Sequence, residues 1–163
     1  MPVLWRRAAD ASSDAQRGQL APILIATADV ELVGHVAPTG QRITDMLLRG
    51  QDLAFLPSGA PEEPANWITI GPTEILFVAP PPLATTSGWR ADRNRREVTV
   101  RVGPYRVRGT AHLAPEADDV RGLRATQPFL PLTQARVRRE ASDHEEPHEV
   151  VIVNLTWSVI ADS

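Results

Sequence analysis

DLAFLPSGA (Asp52–Ala60) and QPFLPLTQA (Gln127–Ala135) share a Phe-Leu-Pro core. If the tripeptide marks two copies of one unit, the chain is a duplicated β domain. If it is chance, the architecture needs another argument, because a shared tripeptide alone is weak and register must carry the reading. Three landmarks supply register. VELVGHV (Val30–Val36) resembles YRVRGTA (Tyr105–Ala111), with Gly34 and Gly109 75 residues apart. Phe55 and Phe129 open the Phe-Leu-Pro units 74 apart, and TEILFVA (Thr73–Ala79) resembles HEVVIVN (His148–Asn154), with Glu74 and Glu149 again 75 apart.

Working outward from these landmarks, each copy reads the same way. Two strands come first, Ile23–Thr27 then Val30–Val36, and Glu97–Val102 then Tyr105–His112. Val98, Val100 and Val102 alternate with Glu97, Thr99 and Arg101, the period of a half-buried strand. Gly103-Pro104 is a turn signal. Ile43, Met46 and Leu47 form one apolar helical stripe, with Gly50 as its stop; Val120 and Leu123 repeat it more weakly around Gly122. A strand through Phe-Leu-Pro follows, its proline placing it at a strand end or a sheet edge. Strands at Glu74–Ala79 and Glu149–Leu155 come next, and Thr156–Asp162 closes the second copy.

These readings predict a mainly β chain of two pseudo-repeated small β-barrel or sandwich units, each with one short helix. The expected division is a tail at 1–20, a first repeat at 21–82, a linker at 83–95 stiffened by Pro80–Pro82, and a second repeat at 96–163. The strand-Gly-strand order, the helix pattern carried by Arg42, Ile43, Asp45 and Leu47, and the strand pattern of Phe55 and Leu56 resemble Sm-like and SH3-like small barrels. They also resemble a group of uncharacterised bacterial domains. The likeness covers most of the first copy and implies a fold class. Sm-like barrels commonly assemble into rings and bind RNA, but no recognisable RNA-binding motif of that family stands here, so that activity is not carried over.

Composition narrows the function. The 163 residues are 42% hydrophobic and 23% charged, a globular mix, and fifteen prolines with ten glycines favour turns over long helices. The absence of cysteine excludes disulfides, thiolate metal sites and a thiol nucleophile. No run of about 18 apolar residues suggests a membrane span, and the first nineteen residues lack a secretory apolar core, so a cytoplasmic location and no membrane partner are expected. All seventeen basic residues are arginine, which codon bias explains better than a need for guanidinium forks because Ala and Pro are also abundant, and the net charge of −3 gives no global pull toward nucleic acid.

No phosphate-binding glycine loop and no Gly-x-Ser-x-Gly elbow occurs, and Ser58 reads as turn chemistry. The chain is therefore read as not an enzyme and without a cofactor. The best metal candidate is His144 with His148, although Pro147 between them argues against the helix that would bring them together. His35 and His112, near equivalent strand ends, read as residues making one hydrogen bond each, and Asp45 and Asp118-Asp119 as helix-end carboxylates. The most distinctive charge feature is Arg90–Arg108, seven arginines against Asp92 and Glu97. Arg95, Arg96, Arg101, Arg106 and Arg108 are its candidate anion-binding residues, with Arg106 and Arg108 on one strand face. Val3, Leu4 and Trp5 form an apolar cluster in a polar tail, a candidate partner-binding segment. The expected function is a non-catalytic binding or assembly module acting through protein–protein contacts, with another protein or a second copy. The alternative is nucleic-acid or other anion binding through the basic segment.

Overall fold

A computed structural model describes residues 6–7, 20–37, 39–80, 94–114 and 120–161. The chain is mainly β and divides into two compact units, residues 1–81 and 82–163.

The first unit holds β1 (Arg6–Arg7), β2 (Ala21–Thr27), β3 (Glu31–Val36), α1 (Ile43–Leu48), β4 (Leu53–Pro57), β5 (Ile68–Ile70) and β6 (Ile75–Ala79). Its antiparallel sheet runs β1-β5-β4-β3-β2-β6. The helix forms where the apolar stripe predicted it. Leu47 is buried, and Gly50 ends the helix at φ 71°, donating its N–H to the Leu47 carbonyl at 3.0 Å. A left-handed residue at that point suits glycine, which has no Cβ to collide with the carbonyl.

The second unit holds β7 (Asn94–Val102), β8 (Tyr105–Leu113), a 3₁₀ segment at Val120–Ala125, β9 (Phe129–Arg139), β10 (Glu145–Asn154) and β11 (Ser158–Ala161). Its antiparallel sheet runs β10-β9-β8-β7-β11. The weak second helical stripe is thus a 3₁₀ segment, as its central Gly122 allows. β7 also begins two residues before the expected repeat boundary, inside the stretch read as linker.

Among the described residues, no ladder joins β5 to β6 or β10 to β11, so neither unit is a closed barrel, and each ladder is continuous rather than split into a sandwich. In the first unit, β5 is only three residues long and its outer edge is taken by β1, with Arg6 opposite Thr69 and Arg7 opposite Ile68. In the second, β11 is a four-residue strand laddered to the turn-proximal half of β7.

Register corrects two of the three landmarks. Gly34 and Gly109 stand at matching places, because Ile23 faces Gly34 and Val98 faces Gly109, each in the first hairpin of its sheet. The Phe-Leu-Pro units do not match. Two residues past Gly34, Val36 faces Phe55; two residues past Gly109, Ala111 faces Leu132. Leu132, not Phe129, therefore occupies the Phe55 position. A Cβ on either glycine would meet the same pair of groups: the Phe55 ring and the Leu56 carbonyl oxygen in one sheet, the Leu132 Cβ and the Thr133 carbonyl oxygen in the other. The last landmark also dissolves. β6 pairs with β2, the first strand of the β2–β3 hairpin, whereas β10 pairs with β9. It is β11 that holds the β6 position, reached through a 3₁₀ turn in each case: Pro72–Glu74 before β6 and Leu155–Trp157 before β11.

The cores follow from alternation. Ile25, Phe55, Ile70 and Phe77 have no exposed surface in the first unit, and neither have Val100, Val107, Leu132 and Val151 in the second. Pro57 ends β4, as a residue without an N–H should, and Pro131 follows the same logic, one residue beyond Leu132, where the β9 ladder to β8 ends.

Candidate anion-binding face

The outer face of β7–β10 gathers Arg101, Arg106, Arg108, Arg136 and Arg138. In β8 the burial alternates strictly, so Arg106 and Arg108 both point outward from a core-facing Tyr105 and Val107. Ladder register then sets their neighbours. Across one row lie Arg101, Arg106, Arg138 and Glu145; across the next lie Thr99, Arg108, Arg136 and Pro147. Three of these cross-strand neighbours are Arg–Arg pairs, each destabilising by roughly 0.2–1 kcal/mol if nothing intervenes.

A bulge creates this arrangement. Between Arg108↔Arg136 and Thr110↔Thr133, β8 advances two residues and β9 three. The extra residue lies at Gln134, whose φ of 49° is left-handed. Leu130 and Leu132 point inward on one side of it, and Ala135 and Val137 on the other, so the inward parity switches from even to odd. Without the switch, Arg136 and Arg138 would follow Leu132 into the core. The bulge turns them outward beside Arg108 and Arg106.

Carboxylates neutralise part of the face. Arg101 Nε lies 3.0 Å from Glu140 Oε1, Arg108 Nη2 3.3 Å from Glu97 Oε2, and Arg136 Nη1 3.7 Å from Glu145 Oε2. These side chains are about half exposed or more, so each pair contributes at most about 1 kcal/mol and exchanges readily with solvent or ligand. Arg106 and Arg138 face each other directly and have no carboxylate within ion-pair distance among the described residues. The Arg138 Nε–H is buried and donates to no partner among the described residues. Between the rows lies a depression of ≈ 330 Å³ lined by Glu97, Arg106, Arg108, Arg136, Arg138 and Glu145, among others.

Of the five arginines singled out in the sequence, this face gathers Arg101, Arg106 and Arg108. Arg95 lies at its far end in a second hollow, beside His112 and Thr133. Arg96 has the parity of Val98 and Val100 and belongs to the opposite face. Arg136 and Arg138 were missed, although their alternation with Ala135 and Val137 was visible. Arg139 is occupied differently, donating to the Tyr105 hydroxyl at 3.1 Å with its guanidinium 5.5 Å from the ring centroid.

The other candidates fall apart or fall outside. His144 precedes β10 and His148 lies within it, so the extended chain separates them by about 13 Å, too far to share an ion. Among the described residues, no group of three or more His, Asp or Glu could hold a metal. His112 Nε2 makes a 2.7 Å hydrogen bond with Thr133 Oγ1. Ser58 lies in the turn after β4, its backbone N–H donating to Val33. Asp45 stands in the first turn of α1 without capping it. Asp118-Asp119 and Val3, Leu4 and Trp5 lie outside the described residues. Among the described residues, no helix is long and apolar enough to cross a membrane.

No family model, curated protein or solved structure matches this chain. The arginine face therefore stands on its own chemistry.

Proposed function

We propose that the chain is a non-catalytic binding module, built by duplication of a five-strand unit, whose second copy holds an anionic ligand on the outer face of β7–β10. Duplication is supported by the strand orders β5-β4-β3-β2-β6 and β10-β9-β8-β7-β11, by the matching glycines, and by a 3₁₀ turn before the last strand of each. The observation that carries the ligand reading is the unneutralised Arg106–Arg138 pair. Guanidiniums held face to face repel one another until an anion bridges them, so the sheet accepts a ligand that relieves its own strain. Such a ligand, binding the folded state alone, stabilises it by RT ln(1 + L/Kd), with L the free ligand concentration. Thermal unfolding should therefore shift upward with a phosphate-bearing probe (pyrophosphate, or a twelve-residue oligonucleotide) at about 50 mM salt, and Arg106→Ala/Arg138→Ala should abolish the shift. No shift with either probe rejects the reading.

A protein partner or a second copy is the other reading, favoured by Val159 and Trp157, which are 66% and 56% exposed on and beside the edge strand β11. An edge strand with apolar side chains is a template for strand addition. Light scattering at high concentration tests it. A concentration-dependent dimer lost in Val159→Asp supports it, and a strict monomer sinks it.

A further inference from the structure

We infer, resting on the anion-binding reading above, that the site takes a compact phosphoryl group, such as a phosphomonoester or a pyrophosphate, and is not a track for an extended polyanion. Three observations lead there. First, two cations without a carboxylate partner among the described residues stand side by side, whereas Arg95 lies beyond Glu97 in the second hollow. Arg106 and Arg138 are directly opposed on neighbouring strands, so their Cβ atoms are about 5 Å apart and both forks reach one tetrahedral oxyanion. Second, the field is fenced. Glu97 closes one end along the strands, Glu140 holds Arg101 at the other, and Glu145 stands on the β10 side. Past Arg108 and Arg136 the strands present Glu97, and Arg101 on the β7 side is held by Glu140, so a phosphate chain leaving this cluster meets a carboxylate in each of these directions. Third, the outward residues of the two rows are Arg, Thr, Glu and Pro, with no aromatic ring on which a base could stack.

The fence also supplies selectivity for charge. The Arg108–Glu97 and Arg136–Glu145 pairs are long and exposed, so a doubly charged phosphoryl group can draw both guanidiniums inward while each glutamate returns to water. A singly charged oxyanion competes less well for the same two arginines. Four guanidiniums then surround one ligand. The bulge at Gln134 holds two of them on this face.

Calorimetric titration of the full chain tests the inference with pyrophosphate, inorganic phosphate, sodium chloride matched in ionic strength, and the twelve-residue oligonucleotide. Pyrophosphate is expected to bind saturably, with Arg106→Ala/Arg138→Ala weakening it at least tenfold and Arg96→Ala changing it less than twofold. Glu97→Gln is expected to tighten it several-fold by freeing Arg108. Removing two mutually repelling surface cations leaves the fold intact, which the unfolding transition of the double variant reads out. An oligonucleotide that binds only through this pocket neutralises about two phosphates, so its log K falls against log salt with a slope of about −1.4. Two results overturn the inference while leaving anion binding standing: an oligonucleotide slope steeper than about −4, or oligonucleotide binding that pyrophosphate does not displace. Heat from pyrophosphate no larger than from matched chloride, together with no oligonucleotide binding, overturns both.

Discussion

Gly34 is where the first sheet is most tightly closed, and replacing it with alanine is the sharpest test of the fold. A Cβ at this position would lie 2.2 Å from the Leu56 carbonyl oxygen and 2.5 and 2.7 Å from two atoms of the Phe55 ring. Ordinary carbon–oxygen and carbon–carbon contacts need about 3.3–4.0 Å, so the shortfall is about 1 Å against both groups. Neither can yield cheaply. The oxygen belongs to β4 backbone laddered to β3, and the Phe55 ring is fully buried. The strands must separate locally, straining the ladder and the Ser58 N–H bond to the Val33 carbonyl, 2.9 Å long. Overpacking contributes about 1–3 kcal/mol and each weakened hydrogen bond about 1 kcal/mol, so Gly34→Ala should destabilise the first unit by about 3–4 kcal/mol. Gly109→Ala meets the Leu132 Cβ at 2.9 Å, the Thr133 carbonyl oxygen at 3.1 Å and the Ala135 Cα at 3.3 Å, so a displacement of a few tenths of an ångström suffices and the loss is about 1 kcal/mol. Adding Phe55→Leu to Gly34→Ala removes the ring but not the backbone oxygen and should not rescue stability. Urea unfolding followed by circular dichroism and by fluorescence of the buried Trp67 measures all three. A Gly34→Ala loss equal to or smaller than that of Gly109→Ala would refute the close approach of β3 and β4.

Gln134→Gly should stabilise the second unit by up to about 1 kcal/mol, read as a rise of a few degrees in its unfolding temperature, because the left-handed conformation strains a residue with a Cβ. An unchanged or lowered temperature would argue against the bulge. Leu47→Ala, which empties the buried side of α1, should cost about 2–5 kcal/mol in chemical denaturation; a loss below 1 kcal/mol would mean the helix is not docked through that residue.

Much of the strand pattern was legible because period-two burial is a local property. The β7–β8 hairpin followed from alternating valines and the Gly103-Pro104 turn, and α1 from three apolar residues and a glycine stop. β5 escaped because three residues give too short a period to register, and β1 because two arginines carry no apolar signal at all. Half of the candidate site, Arg106 and Arg108, was equally local. Arg136 and Arg138 lie 28 and more residues along the chain from Arg108, and only strand pairing brings them beside it.

The amino-acid sequence by itself determined which stretches extend and which short segment coils, because these rest on nearest-neighbour sterics and side-chain period. Tertiary structure decided that Phe-Leu-Pro is a coincidence of letters, since equivalence belongs to ladder register, and register is fixed by partners distant in the chain. It also decided which way the β9 arginines face. Strict alternation from Leu132 buries them, and one left-handed residue at Gln134 turns them to solvent, placing like charges opposite one another where an anion can relieve them.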